Sequence, residues 1–357
     1  MFNAKKIVSL VMSAIISSTM VTAIPANAQV YKNECAGFKA VKDLKLDDDG
    51  NIYGMKFDSM QGIAGDSSYI YVAKNHKISE SEQYAVIFRL NPNNKNEAPT
   101  LMSFDTKKNN EKNVAGDLSH ANDMFLLKEN GIRYLYVSTG EGQIIKLQID
   151  DSKKKLKKVK RITVKKNGDT RLKFSGLSGF EDELNNKSRY KIILKDKNEI
   201  YTATINKNNT NESIPAYKKF DLKTKVQLPG KDKNGKSTNV LHDLSEKKYA
   251  NQGISYYNGD LYVTYSMNSD DKSVPHNKSF IIIYKNVYNK LNNSGTSTIA
   301  NPYGEAKFYF ESGSYPDLFE IEGCAIVNNT VFFNTNRRKT PSDANYDAVL
   351  YLSNYRP

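Results

Sequence analysis

The stretch Gln61-Gly62-Ile63-Ala64-Gly65-Asp66-Ser67-Ser68-Tyr69-Ile70-Tyr71-Val72 runs from a polar residue and glycine, through an apolar residue and a turn, into a strand. Gly65 to Ser68 carry the turn chemistry, and the alternation of Tyr with Ile and Val suits a pleated, half-buried surface. The pattern returns in Gln252-Gly253-Ile254 before Leu261-Tyr262-Val263, and in Glu322-Gly323-Cys324 before Val331-Phe332-Phe333. In all three copies the strand aromatic lies ten positions after the polar residue. Constant spacing across unlinked segments marks a repeat architecture.

Two looser copies fill the gap between the first and the others. His120-Ala121-Asn122-Asp123-Met124 precedes Tyr134-Leu135-Tyr136-Val137, and Ser178-Gly179-Phe180 precedes Tyr190-Lys191-Ile192-Ile193. Each copy is followed by a further strand, such as Ala85–Phe88, Gln143–Leu147, Glu199–Ala203, Phe280–Tyr284 and Ala348–Leu352. Anchors at 61, 120, 178, 252 and 322 give a period of about 65 residues, so five units fill residues 29–357 as one domain. That period exceeds the roughly 40–50 residues of common propeller repeats, so long polar loops are expected at 91–100, 107–112, 206–213 and 285–297. The sequence therefore predicts an all-β chain, a five-bladed β-propeller. An irregular β-sandwich is the alternative, disfavoured because repeated units pack radially and protect their edges. Ring closure predicts that the segment before Met60 adds a strand to the blade containing Glu322.

Lys5 and Lys6 precede an apolar, small-residue run to Ile24, followed by Ala26-Asn27-Ala28. This reads as a secretory signal peptide, residues 1–28, cleaved after Ala28, giving a secreted protein with no transmembrane segment in the mature chain. The formal charge of +13 stays strongly positive without Lys5 and Lys6, which suits anionic envelope polymers better than nucleic acid in an exported protein. The densest positive run holds Lys153, Lys154, Lys155, Lys157, Lys158, Lys160 and Arg161; it either shields an outer edge strand or contacts an anionic surface. Cys35 and Cys324 either form one bridge, as an oxidising compartment permits, or are two separate thiols.

If each anchor opens an innermost strand, Gln61, His120, Ser178, Gln252 and Glu322 face a central channel near one end. Polar groups there must bond each other, water or a ligand. Gln61, His120, Asn122, Asp123, Gln252 and Glu322 are thus the candidate ligand-binding set, against the plainer reading of a water-filled structural channel. Glu320 and Glu322 share a strand face, and a carboxylate-pair glycosidase would need a second acid, with Asp123, Glu181 and Asp182 as candidates. Arg337-Arg338-Lys339 either grips an anion or is a solvated loop. The four histidines lack zinc spacing, and Asp47-Asp48-Asp49-Gly50 lacks the later positions of a calcium loop, so no metal and no cofactor is expected.

Ser119–Met124 through Tyr134–Val137, Asn251–Ile254 with Gly259–Val263, and Phe319–Gly323 resemble the helveticin J family of large, heat-labile bacteriocins. The resemblance implies a β-propeller that harms related bacteria at their envelope, and it brings no catalytic constellation. The Asn- and Lys-rich loops and the signal peptide depart from that family. Two functions follow: a non-catalytic, monomeric protein that binds an anionic cell-envelope polymer or glycan, or a secreted propeller hydrolase or lyase acting on glycans at the channel mouth.

Overall fold

The computed structural model describes the strand at 34–38, residue 57, and residues 59–357 apart from 95–96, 107–110, 182–188, 207–211, 232–233, 235–236, 268–275, 293–306, 344 and 353–354. The signal-peptide reading, the Asp47–Gly50 segment and Asp182 lie outside the described residues.

Strand β1 is Glu34–Phe38. Then comes an antiparallel meander of β2 (Ser59–Gly65), β3 (Ile70–Lys77), β4 (Gln83–Leu90) and β5 (Thr100–Phe104). Helix α1 (Glu111–Leu118) leads into a second meander, β6 (Asp123–Glu129), β7 (Ile132–Ser138), β8 (Gln143–Asp150) and β9 (Lys155–Lys166). The short β10 (Thr170–Arg171) precedes a third, β11 (Gly176–Glu181), β12 (Arg189–Asp196), β13 (Glu199–Asn206) and β14 (Ser213–Asp221). A hairpin, β15 (Lys225–Lys231) and β16 (Ser237–Asp243), is inserted before the fourth, β17 (Tyr249–Tyr257), β18 (Asp260–Met267), β19 (Lys278–Tyr284) and β20 (Lys307–Glu311), with α2 (Tyr288–Asn292) between its last two strands. The last sheet is β21 (Leu318–Val327), β22 (Thr330–Arg338) and β23 (Asp347–Tyr351), and β1 pairs antiparallel with β23 as its fourth strand. A strand from before Met60 thus joins the sheet that carries Glu322.

The first strands of these units pack side by side in the order β2, β6, β11, β17, β21 and back to β2. Apolar residues fill the spaces between neighbouring sheets: Ile63, Val72 and Val86 with Met124 and Val137, and Ile281, Phe310 and Ile321 with Phe333. Strands that pack between neighbouring sheets hide residues on both faces, which explains runs such as Phe280-Ile281-Ile282-Ile283-Tyr284, all buried.

The repeat has a local cause. In β2 the register slips between Met60 and Ile63, in β17 between Asn251 and Ile254, and in β21 between Ile321 and Gly323. The polar-Gly motif is therefore a β-bulge, an extra residue that bends the strand and re-aims its side chains. A helix stands in a region whose composition reads as loop: Val114, Ala115 and Leu118 are buried at helical spacing, and Ser119 ends α1 with a φ of 52°.

The two cysteines do not meet. Cys324 lies on β21 and Cys35 on β1, opposite edges of one four-stranded sheet, about 14 Å apart at three strand spacings. A bridge needs Cα atoms within about 7 Å, so of the two readings of these cysteines the separate thiols fit this sheet and the bridge does not. Cys324 is a free, buried thiol, pushed up by desolvation and inert as a nucleophile.

Candidate functional site

Where the inner strands converge, Asp123 is fully buried. Its Oδ1 accepts the N–H of Met124 at 2.9 Å, and its Oδ2 accepts the N–H groups of Leu177 and Ile254 at 2.8 Å each. One carboxyl therefore joins β6, β11 and β17. Gly62 and Gly253 make room for it: a Cβ on Gly62 would lie 2.8 Å from the Asp123 carbonyl carbon, and one on Gly253 3.1 Å from its carboxyl carbon. The glycines of the motif are thus close-approach residues around a hub. Burial pushes Asp123 up to about 7, against the three N–H bonds that favour its charge. Lys195, also buried, is pushed down to about 7 by desolvation while the Asp123 charge opposes that shift, and its Nζ donates to Asn251 and, at 3.4 Å, to Ser175 Oγ.

Beside the hub, Glu320 and Glu322 project from β21 and are joined through the side chain of Asn336. Gln252 Nε2 donates to Glu320 Oε1 at 3.0 Å, and Asn336 Nδ2 donates to Glu322 Oε1 at 2.6 Å and to Glu320 Oε2 at 3.4 Å. Desolvation raises both carboxyls, Glu322 far above the usual range because the Glu320 charge adds to it. Glu322 is sealed at 5% exposure whereas Glu320 is half-buried, so Glu320 is the member in reach of solvent. His276 favours the Glu320 charge, and its buried Nδ1 has no hydrogen-bond partner among the described residues. The pair rests on the seam between the first and last units. Asn336 Oδ1 accepts Met60 N–H at 2.6 Å, Asn334 Nδ2 donates to the Gln61 carbonyl at 2.5 Å, and Lys74 meets Asp347 at 2.5 Å with both side chains out of water.

Of the six expected ligand-binding residues, Gln252 and Glu322 come together and Asp123 lies beside them with its oxygens already engaged. Gln61 is buried at the seam. His120 departs: the equivalent inner strand begins three residues later, at Asp123, and positive φ at Ser119 and Ala121 turns the chain so that His120 Nδ1 meets Gln83 Oε1 at 2.6 Å and Asn75 Nδ2 at 3.4 Å. Burial and nearby Lys77 hold this imidazole down at about 4, so it is neutral at pH 7. Asn122 is half-buried against Gly140. Glu181 stands exposed at the opposite end of β11. Composition missed Asn334 and Asn336; the available signal was two Asn alternating inside the strand Val331–Arg338, where Asn is unfavourable unless bonded.

Lys153 pairs with Asp150 and Lys155 with Asp105, each at 3.4 Å, while Lys158 and Arg161 share Asp117. Their strand, β9, is not a simple edge, because it pairs in parallel with β5 through Lys155-Leu156 and with β14 through Thr163–Lys166. Arg337 is 4% exposed rather than in a solvated loop, and Arg338 pairs with Asp317 at 2.5 Å. A small cleft near Pro92, Val327, Thr330 and Tyr351 lies at the far end of the same seam. Among the described residues no cluster of His, Cys, Asp or Glu is arranged to hold a metal, and no helix is long and apolar enough to cross a membrane.

No family model and no curated protein matches this sequence. Among solved structures the chain is similar to an α-L-arabinofuranosidase of Podospora anserina (8% identity, TM-score 0.39, covering 90% of this chain and 97% of that one). It is also similar to a GH43 enzyme of Xanthomonas citri (8%, 0.41, covering 82% and 87%) and to a tail fibre of a Staphylococcus aureus phage (13%, 0.42, covering 90% and 52%).

Proposed function

We propose that this chain is a secreted five-bladed propeller that acts on a glycan seated over the channel mouth, with the Glu320–Glu322 pair as proton donor. The ring order of the first strands and the completion of the last sheet by β1 support the blade count. The observation that carries the function is a pair of carboxyls on one strand, both raised by burial and braced by two amides, with one member half-buried and the other sealed. Sugar hydroxyls both donate and accept, so carboxylate acceptors beside amide donors suit them, whereas the charge on the pair repels anions. The pair's proton passes through Glu320 to the departing glycosidic oxygen as water bonds to the anomeric carbon in its place, and the proton released by that water recharges the pair. Gln252 and Asn336 hold the two side chains in register. Asp123 does not serve as the second acid, because three backbone N–H groups occupy its oxygens. The geometry therefore supports the acid half of glycoside cleavage.

The test is release of reducing ends from purified bacterial cell-wall glycans, comparing the mature protein with Glu320→Gln. Loss of a general acid should cut the rate about 100-fold or more. A second reading rests on the net charge of +13: salt-sensitive adhesion to an anionic envelope, in the manner of the bacteriocin-like family. If the protein binds such walls, lets go as salt rises and releases no product, adhesion replaces catalysis.

A further inference from the structure

At the end of the channel that holds the carboxyl pair, one buried amine has no part in the proton-donor role. Lys195 on β12 is fully covered, and its Nζ bonds to Asn251 Oδ1 and, at 3.4 Å, to Ser175 Oγ. Ser175 stands just ahead of β11, is half-buried, and is held by its own N–H, which donates to the Lys195 carbonyl at 3.0 Å. Gly176 leaves room for the lysine stem, because a Cβ there would lie 3.0 Å from both Cβ and Cε of Lys195. Asn251 is itself anchored: its Nδ2 donates to the Lys197 carbonyl at 2.5 Å and to Asn198 Oδ1 at 3.4 Å, so its oxygen has a set direction. A half-buried hydroxyl, a covered base and a third group that orients the base are the parts of an activated nucleophile. Asn251 and Gln252, consecutive on β17, turn to opposite neighbours, Asn251 to Lys195 and Gln252 to Glu320. The trio therefore flanks β17 across from the carboxyl pair.

We infer that Ser175 and Lys195 form a serine–lysine dyad, oriented by Asn251, that removes O-linked acyl groups from the glycan. The dyad stands on its own residues; only the choice of sugar esters as substrate rests on the glycan reading above. Lys195, as the free amine, takes the Ser175 hydroxyl proton while Oγ bonds to the acyl carbon. The sugar oxygen leaves with that proton, and an acyl-serine remains. Water then adds to the acyl carbon, one of its protons passes through Lys195 to Ser175 Oγ, and the acid departs. The 3.4 Å contact needs to shorten by only a few tenths of an ångström as substrate binds. Desolvation holds Lys195 down at about 7, so the free amine is present near neutral pH. The charged groups that act on it are Asp123 on β6 and Asp196 beside it on β12, and both favour the ammonium that forms as the proton arrives.

A fluorophosphonate added to the mature protein should place one phosphonyl group on Ser175, located by mass spectrometry of its peptides. The protein should also hydrolyse 4-nitrophenyl acetate and release acetate from O-acetylated cell-wall glycan, with a rate that rises through about pH 7 as Lys195 gives up its proton. Ser175→Ala and Lys195→Met should each cut ester turnover about 100-fold or more. Lys195→Arg, which keeps the charge but cannot release its proton, should recover none of that loss. Melting temperatures taken alongside identify any lysine variant that has unfolded. Ser175→Cys leaves the amine in place and needs no substrate: near neutral pH iodoacetamide should alkylate the new thiol about tenfold faster than free cysteine, because a neighbouring ammonium favours the thiolate. If the fluorophosphonate leaves Ser175 untouched and the Ser175→Cys thiol reacts no faster than free cysteine, the dyad is wrong, and release of reducing ends from the glycan would leave the glycan reading standing. If Ser175 is labelled and 4-nitrophenyl acetate is cleaved while no acetate leaves the glycan, the sugar-ester substrate is wrong.

Discussion

Asp123 and the Glu320–Glu322 pair are neighbours on inner strands, at nearly the same phase of the repeat, and do opposite things. Asp123 bonds backbone N–H groups of three strands and leaves nothing for a ligand. The glutamates bond side-chain amides, and one of them is only half-buried. A buried carboxyl is structural when its acceptors are satisfied by the main chain, which cannot leave, and available for chemistry when they are satisfied by groups that can exchange partners. The same residue type at one sequence phase therefore does not carry one role.

The largest expected effect breaks the hub. Asp123→Ala orphans the buried N–H groups of Leu177 and Ile254 at about 1–3 kcal/mol each, so urea unfolding should show a loss of roughly 2–6 kcal/mol. An unchanged midpoint would mean that water or a ligand, and not the hub, satisfies those strands.

On the other side of the comparison, Glu320→Gln should cost about 100-fold in turnover, some 2.7 kcal/mol of barrier, with little change in melting temperature. Glu322→Gln tests the proton itself. Its folded carboxyl is raised, so the folded chain keeps a proton that the unfolded chain releases; the stability this lends is present at low pH and is lost as pH climbs above the ordinary carboxylate value. Wild type should thus lose ground to Glu322→Gln as the buffer moves from pH 4 towards neutrality. Parallel melting curves across that range would show that no buried proton exists.

His120 supplies the opposite slope at a smaller size. Its folded value is depressed to about 4, so its contribution is present above the unfolded value near 6.5 and disappears as pH falls towards 4. His120→Asn should cost about 1 kcal/mol at pH 7 through the bonds to Gln83 and Asn75, and less at pH 5, without altering glycan turnover. A loss of turnover would return His120 to the mouth. The smallest effect belongs to Asp117→Asn on the surface: Lys158 and Arg161 lose their shared partner, and stability should change by about 1 kcal/mol or less.

The repeat was legible because a bulge beside a hub needs glycine, and glycine followed at fixed distance by an aromatic strand is visible in a linear string. Gln61-Gly62, Gln252-Gly253 and Glu322-Gly323 all mark such bulges. His120 was misread for the same reason: the second inner strand has no bulge, so its apparent anchor was a loop residue three positions early. Which carboxyl would be spent on main-chain donors depends on β11 and β17, more than 50 residues away from Asp123, and no local pattern carries that information. The partners of the basic run, Asp105 and Asp117, come from a neighbouring loop and helix, so the sequence around Lys153–Arg161 does not show them.

The pairing of β1 with β23 sets an order of events in time. Residues 34–38 leave the ribosome about 300 residues ahead of their partner, 347–351, so the two strands of this pair wait on all four intervening units. Every earlier state carries an open edge at the seam, where Lys74 awaits Asp347 and Met60 awaits Asn336. Contacts of such long sequence separation form slowly. A copy truncated before Asp347 would never lose its sticky edge.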